Sequence, residues 1–276
     1  MLDHLPDDID PLVITFDEGP FADRLRARGY AVATVALAGA ISRSTRERPQ
    51  LLGLASIPSA AFALAGLLRR ERIDVVHTNT VKAHFVGGVA ARLARLPCIS
   101  HLRDLLEGRS LVALRAVCAL CSQERIAISG AVAKWYALRS THVIDEPLDA
   151  GALAGTVDRA EARRALGLPL DGPIVAMVGR INRWKGQDRF IRAAALTRDR
   201  VRAHFAIVGS AIFRDADFVA ELEAEVDRHG LRDAFTFVPW VTEVASAYAA
   251  IDLHANCSSR EPFGRTTIEA AAFGVP

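Results

Sequence analysis

Two cations and two carboxylates carry most of the chemical promise of this chain. Arg180 and Lys185 follow the apolar run PIVAMVG in the phrase GRINRWKGQDRFI. Gly179 lets the backbone turn where the run ends, and both cations then lie beside the start of the next helical stretch. A guanidinium fork and a mobile ammonium, close to free backbone N–H groups, suit a diphosphate. The competing reading has Arg180 capping a carbonyl and Lys185 in solvent. Lysine is scarce, occurring only at Lys82, Lys134 and Lys185. Against an arginine- and alanine-rich background, of the kind a GC-rich genome produces, a retained lysine is a hint that an ammonium is wanted.

The stretch SSREPFGRTTIEAAAFGVP holds Glu261 and Glu269. A helix is expected to open near Phe263 or Gly264, with its free N–H groups ready for an anion. Gly264 permits close backbone approach. Glu261 lies at the mouth of this helix and Glu269 about two turns further on. Carboxylates so placed can accept hydrogen bonds from hydroxyls on either side of a phosphate pair, a sugar on one side and a ribose on the other. The alternative makes Glu261 a partner of the helix dipole and Glu269 a surface residue. Glu269 stands between Ile268 and AAAFG, an odd place for a solvated side chain.

The elements that must position these groups alternate regularly. Strand-like runs such as PLVITF, AVATVAL, IDVVHTN, PCISHL, RIAIS and HVID are separated by helical stretches up to about residue 145. The run DEPLDAGALAGTVDRAEARRALGLPLDGP breaks the rhythm and reads as a linker. The alternation then restarts with PIVAMVGR, RAHFAIVG, AFTFVP and IDLHAN. Unbroken apolar strands alternating with helices imply parallel sheets covered on both faces. Two doubly wound α/β domains are therefore expected, 1–150 and 151–276. The expected ligand site is a cleft between them, at the carboxyl ends of strands.

Composition narrows the function classes. The 276 residues are 51% hydrophobic with a net charge of +2, so the totals carry no nucleic-acid footprint. The opening MLDHLPDDID is acidic and has no long apolar run. No stretch approaches the roughly 18–20 apolar residues of a membrane span. A cytoplasmic protein is expected, with peripheral membrane contact left open. No G-x-G-x-x-G follows a strand, and no P-loop, H-E-x-x-H or EF-hand phrase occurs. Cys118 and Cys121 form a C-x-x-C inside an apolar helix, without two further ligands spaced for zinc. Core packing is the expectation there, and no metal or cofactor is expected anywhere.

VGRINRWKGQDRFIRAAA, FAIVGSAIF and SSREPFGRTTIEAAAFGVP together resemble the nucleotide-binding domain of family 4 of the retaining glycosyltransferases. Glu261 and Glu269 match that family's E-x7-E motif, and Gly179 to Gly186 match G-R-x-x-x-x-K-G. The upstream DVVHTNTVKAHFVGGVAARLARLPCISHLRD is similar to the acceptor-side domain of the same group. The fold implied is GT-B, two Rossmann-like domains facing a cleft. The reaction implied is sugar transfer from a nucleotide diphosphate sugar with the anomeric configuration retained. No residue is a convincing covalent nucleophile, which fits a front-face mechanism. Arg180 and Lys185 would hold the diphosphate and stabilise it as leaving group, a role metals play elsewhere. Glu261 would touch the donor sugar and Glu269 the ribose. Gly264, Arg265 and Thr266 would offer backbone amides, with Gly179 and Phe263 counted among the donor-binding residues. His101, at the end of PCISH, matches a histidine that contacts the donor sugar from the opposite domain; a packed strand-end histidine is the alternative. His77, Asn79 and Lys82 line the neighbouring loop and are weaker candidates. The acceptor is open: a glycan, a lipid-linked molecule or a small molecule.

The chain also departs from that pattern. The family usually opens with a strand and a Gly-Gly loop, which are absent here, and continues beyond FGVP with a further strand and helices. Both domains are therefore expected to be incomplete, the chain being an internal fragment. The strand absent from the first sheet would be its central one, which leaves PLVITF and DVVHTN without a shared partner. The polypeptide alone is expected to be insoluble or molten. A sugar-nucleotide epimerase of the same fold, a non-catalytic partner subunit and a degraded reading frame are the competing accounts.

Overall fold

A computed structural model describes residues 2–37, 57–148, 157–211 and 216–276. The chain divides into two compact units, Met1–Asp145 and Glu146–Pro276. The boundary expected at residues 150 and 151 lies outside the described residues.

In the first unit β1 (Leu12–Thr15) and β2 (Ala31–Thr34) pair in parallel across α1 (Pro20–Ala27). A second parallel sheet runs β3 (Val76–Thr78), β4 (Cys98–Leu102), β5 (Glu124–Ala127) and β6 (Thr141–Val143), in that order. Around these lie α2 (Ile57–Arg70), α3 (Val81–Ala94), α4 (Gly108–Cys121) and α5 (Gly130–Tyr136). Among the described residues β1 and β3 do not pair with each other. They nonetheless share one core. Ile14, Phe16 and Val76 all pack against the cluster that contains Leu64, Leu68 and Val86.

The cysteines of this unit serve packing. Cys98, Cys118 and Cys121 are buried free thiols. Burial raises all three, Cys118 to about 11. Arg125 is buried as well, and its guanidinium donates to the carbonyls of Cys118, Ser122 and Arg139. It thereby adds donors to the carbonyls that close α4 and ties them to the chain at Arg139.

The second unit holds one parallel sheet in the order β10-β7-β8-β9. Its strands are β7 (Ile174–Val178), β8 (His204–Val208), β9 (Phe235–Val238) and β10 (Leu253–His254). Its helices are α6 (Arg159–Ala165), α7 (Gln187–Thr197), α8 (Ala216–Arg228), α9 (Val244–Ala250) and α10 (Arg265–Ala272). The sheet is buried on both faces, as a parallel sheet must be. Ile174, Ala176, Ala206 and Val208 face one core with Tyr248 and Ile251. Met177, Phe205 and Ile207 face the other with Phe190 and Phe235. Burying one such Ile or Phe stabilises by about 1.5–3 kcal/mol. Arg163 of α6, 3% exposed, ties the edge together. It donates to the carbonyls of Ala250, Leu170 and Gly172 and to Asp252, whose carboxylate also accepts from the Ile174 amide at 2.8 Å.

Candidate functional site

The predicted diphosphate and sugar residues of the second unit gather at the carboxyl ends of β7 and β10. Gly179 ends β7 with φ at 144°. A Cβ at Gly209, which follows β8, would stand 2.1 Å from the Gly179 carbonyl oxygen, so the two strand ends touch through bare backbone. Beyond Gly179 the chain folds on itself. The buried Gln187 donates to the Arg180 carbonyl at 3.0 Å and accepts from the Asn182 amide at 3.4 Å. Asn182 caps the short 3-10 turn Arg183–Lys185 by accepting from the Trp184 amide. The Trp184 carbonyl in turn accepts from the Ser259 amide at 2.8 Å and its hydroxyl at 3.1 Å.

That docking brings Lys185 onto Glu261. Nζ lies 3.0 Å from each carboxylate oxygen and 4.5 Å from the centre of the Trp184 ring. The side chains are 14% and 23% exposed, so the pair is largely desolvated. Lys185 is therefore not a solvated lysine. Among the described residues the Arg180 side chain makes no hydrogen bond or ion pair, and it is not a carbonyl cap; only its backbone carbonyl is held. The loop thus presents one cation already engaged and one unengaged.

Gly264 caps α10 with φ at 90°, close to the expected helix start. A Cβ there would come within 3.3 Å of Glu261 Cγ, which is how the bend of Pro262 and Phe263 returns Glu261 to the helix mouth. Thr266 stands beside Gly179, its methyl 3.8 Å from where a Cβ would be. Glu269 is 7% exposed and is not a surface residue. Its Oε1 accepts from Arg265 at 3.2 Å, and its Oε2 lies 3.2 Å from the Tyr248 hydroxyl. That hydroxyl also approaches the Thr266 carbonyl at 2.9 Å and shares its single proton between the two. Burial and the Glu269 charge push the Tyr248 phenol far up, so it stays a donor.

In the first unit His101 ends β4 with its ring stacked on His77 of β3, centroids 5.5 Å apart. Behind them runs a buried polar chain. His84 Nδ1 lies 2.8 Å from the Thr78 hydroxyl, which approaches Ser100 at 3.3 Å; Ser100 and Ser122 are 2.6 Å apart. Burial, with the nearby His101 and His77, pushes His84 down to about 4, so it is neutral near pH 7. Burial, together with the Arg103 charge, also lowers His77. Lys82 is lowered by partial burial, against the pull of Asp17. Asn79 Oδ1 is buried without a hydrogen-bond partner among the described residues.

Sequence reasoning missed Gln187, Asn182 and Tyr248. A glutamine directly after a glycine, at the head of an apolar helix, was a usable signal for the first. Tyr248 reaches Glu269 across 21 residues, and nothing local marks it.

Two family models account for most of the chain. Residues 20–144 match the one described as Glycosyltransferase Family 4, and residues 158–276 match Glycosyl transferases group 1. The chain is 34% identical over 197 residues to the lipopolysaccharide core biosynthesis mannosyltransferase LpsB of Rhizobium meliloti, covering 66% of this chain and 54% of that protein. It is 41% identical over 122 residues to a D-inositol 3-phosphate glycosyltransferase of Mycobacterium leprae, covering 43% of this chain and 28% of that one. It therefore spans about half, or less, of the length of these relatives. Among solved structures it resembles Anabaena Alr3699/HepE in complex with UDP-glucose, with a TM-score of 0.80, 27% identity, and 96% of this chain and 71% of that chain covered. A sucrose-phosphate synthase of Thermosynechococcus elongatus shares the fold at a TM-score of 0.73 and 21% identity, over 96% of this chain and 79% of that one.

Proposed function

The chain belongs to the GT-B glycosyltransferases, with a family 4 unit followed by a group 1 unit, and on that premise we propose that it acts in sugar transfer from a nucleoside diphosphate sugar to an acceptor, with retention at the anomeric carbon. The observation that carries this reading is the Lys185–Glu261 pair before the start of α10, with the buried Glu269 further along the same helix. Lys185 and Arg180 bind the diphosphate and take up the charge that grows on it as the bond from the sugar carbon breaks. Glu261 orients the sugar hydroxyls and Glu269 the ribose. Gly179, Phe263, Gly264, Arg265 and Thr266 form the donor cradle.

In the front-face course the diphosphate leaves with the bonding electron pair. The acceptor oxygen bonds to the same face of the sugar carbon, and its proton passes to a phosphate oxygen. These residues need no metal or cofactor for that sequence. Among the described residues no helix is long and apolar enough to cross a membrane. We place the reaction in the cytoplasm, on a glycan, lipid-linked or small-molecule acceptor. The UDP-glucose complex of HepE makes UDP sugars the first donors to try. The test is incubation of the protein with UDP and GDP sugars and a panel of acceptors, followed by proton NMR of the product. A product whose anomeric coupling is inverted, or an epimerised donor in place of a transferred sugar, would overturn this assignment.

A further inference from the structure

His254 ends β10, near enough to the Lys185–Glu261 pair for its ring to feel both charges. Both of its ring nitrogens are buried and have no hydrogen-bond partner among the described residues. Buried polar atoms are normally satisfied, so an imidazole with two unmet nitrogens beside a ligand site asks for an explanation. Its surroundings are well defined. Tyr248 of α9 meets the ring edge-on, centroids 6.0 Å apart, and carries Glu269 on its hydroxyl. The Ala176 carbonyl of β7 accepts from the Ala255 amide at 2.8 Å and, with a second lone pair to offer, lies near enough to favour a protonated ring. Burial holds the imidazole below its ordinary pKa; the Lys185 charge opposes its protonation and the Glu261 charge favours it.

We propose that His254 is a proton-linked positioning residue of the donor site, taking up a proton from solvent when a diphosphate draws Lys185 away from Glu261. The inference rests on the donor-site reading above. In the structure Lys185 neutralises Glu261 at 3.0 Å to both oxygens. A diphosphate competes for the same ammonium and adds negative charge to a largely desolvated place. Glu261 then needs a second cation, and His254, whose ring meets Tyr248 and feels the Glu261 charge, can become one. Protonation makes both ring nitrogens donors. One reaches toward Glu261 and keeps that carboxylate aimed at the sugar while Lys185 holds phosphate. Because His254 touches no substrate, it acts through Glu261.

Calorimetric titration of the full chain with UDP-glucose tests this, since the diphosphate of that donor has no proton to exchange near neutrality. Titrations at about pH 6.5, where an imidazole responds, in PIPES and in imidazole buffers should give different apparent enthalpies, reporting proton uptake on binding. His254→Phe, which keeps the ring but removes its nitrogens, should abolish that difference. It should weaken UDP-glucose binding about fivefold or more at pH 6 and less at pH 8, with an unchanged or raised Tm. Wild-type binding whose heat does not depend on buffer overturns the proposal for His254 and leaves the donor site standing. Uptake that persists in His254→Phe overturns it too, since the proton then sits elsewhere. No binding at all by the wild type overturns both. The wild-type buffer comparison decides the matter even if the variant does not fold.

Discussion

Lys185 and Glu261, 76 residues apart in the chain, form a two-pronged contact in which one ammonium meets both oxygens of one carboxylate. The residue suited to phosphate and the residue suited to sugar are thus pre-set against each other by the Ser259–Trp184 backbone link. Removing one partner of a largely buried pair leaves the other charge uncompensated.

Lys185→Ala should therefore weaken nucleotide-sugar binding and slow turnover together. A charge-assisted hydrogen bond contributes about 1.5–3 kcal/mol, which makes the loss roughly tenfold or more. Calorimetric titration with UDP and GDP sugars reads it directly. Unchanged affinity and turnover would remove Lys185 from the site.

Glu269→Gln keeps the shape and still offers Tyr248 an acceptor, while it gives up the charge opposite Arg265. Affinity for the free nucleoside diphosphate should fall by severalfold. Stability without ligand should fall by only about 1 kcal/mol, the worth of one hydrogen bond. Tyr248→Phe should cost a similar amount and weaken nucleotide binding less. A melting temperature that collapses in Glu269→Gln with nucleotide affinity intact would make Glu269 a purely structural residue.

Gly186→Ala should damage both fold and site. Gly186 sits at φ 82°, and a Cβ there would lie 2.2 Å from the Cys257 carbonyl oxygen. Strain and overlap together should cost at least about 2–3 kcal/mol and push the Lys185 turn off the Glu261 loop. Gly274→Ala is the control, since it has a similar positive φ and nothing within 4 Å. It should cost only about 1 kcal/mol. Equal urea midpoints for the two variants would show that the close approach to Cys257 carries no energetic weight.

Acid should destabilise the first unit through His84. Its folded pKa is depressed to about 4 from 6.5, so the unfolded chain binds the proton first as pH falls. Stability is full above about pH 6.5 and is lost progressively toward about pH 4. The share due to His84 between pH 7 and pH 5 is about 2 kcal/mol. His84→Gln, which can still meet Thr78, should flatten that part of the curve. Urea unfolding at the two pH values gives the difference, and parallel curves for variant and wild type would contradict it.

Much of this was legible in the residues themselves. Apolar runs bounded by glycine and charge located the strands, and QDRFIRAAALT is α7 to the residue. The order of Gly179, Lys185, Glu261 and Glu269 marked residues that the fold places at the end of β7 and at and along α10. What stayed hidden depends on distant partners. Whether Lys185 was solvated turned on Ser259 docking against Trp184. Whether Glu269 was exposed turned on Tyr248, which approaches from another helix. The separation of β1–β2 from β3–β6 is a matter of pairing, and runs such as PLVITF and IDVVHTN carry no mark of their neighbours.

Arg163 has a practical consequence for anyone dividing the protein. Its acceptors at Leu170, Gly172, Ala250 and Asp252 all belong to Glu146–Pro276, and Arg159 adds a second bond to Asp252. A cut placed upstream of Asp158 keeps this clasp whole, including the cap that Asp158 provides to Glu161. A cut placed a turn or two later strands a carboxylate and three carbonyls at the edge of the sheet. The clasp therefore marks where a scalpel can pass, and it defines the smallest cassette of this unit suited to segmental isotope labelling or to grafting beside a different first unit.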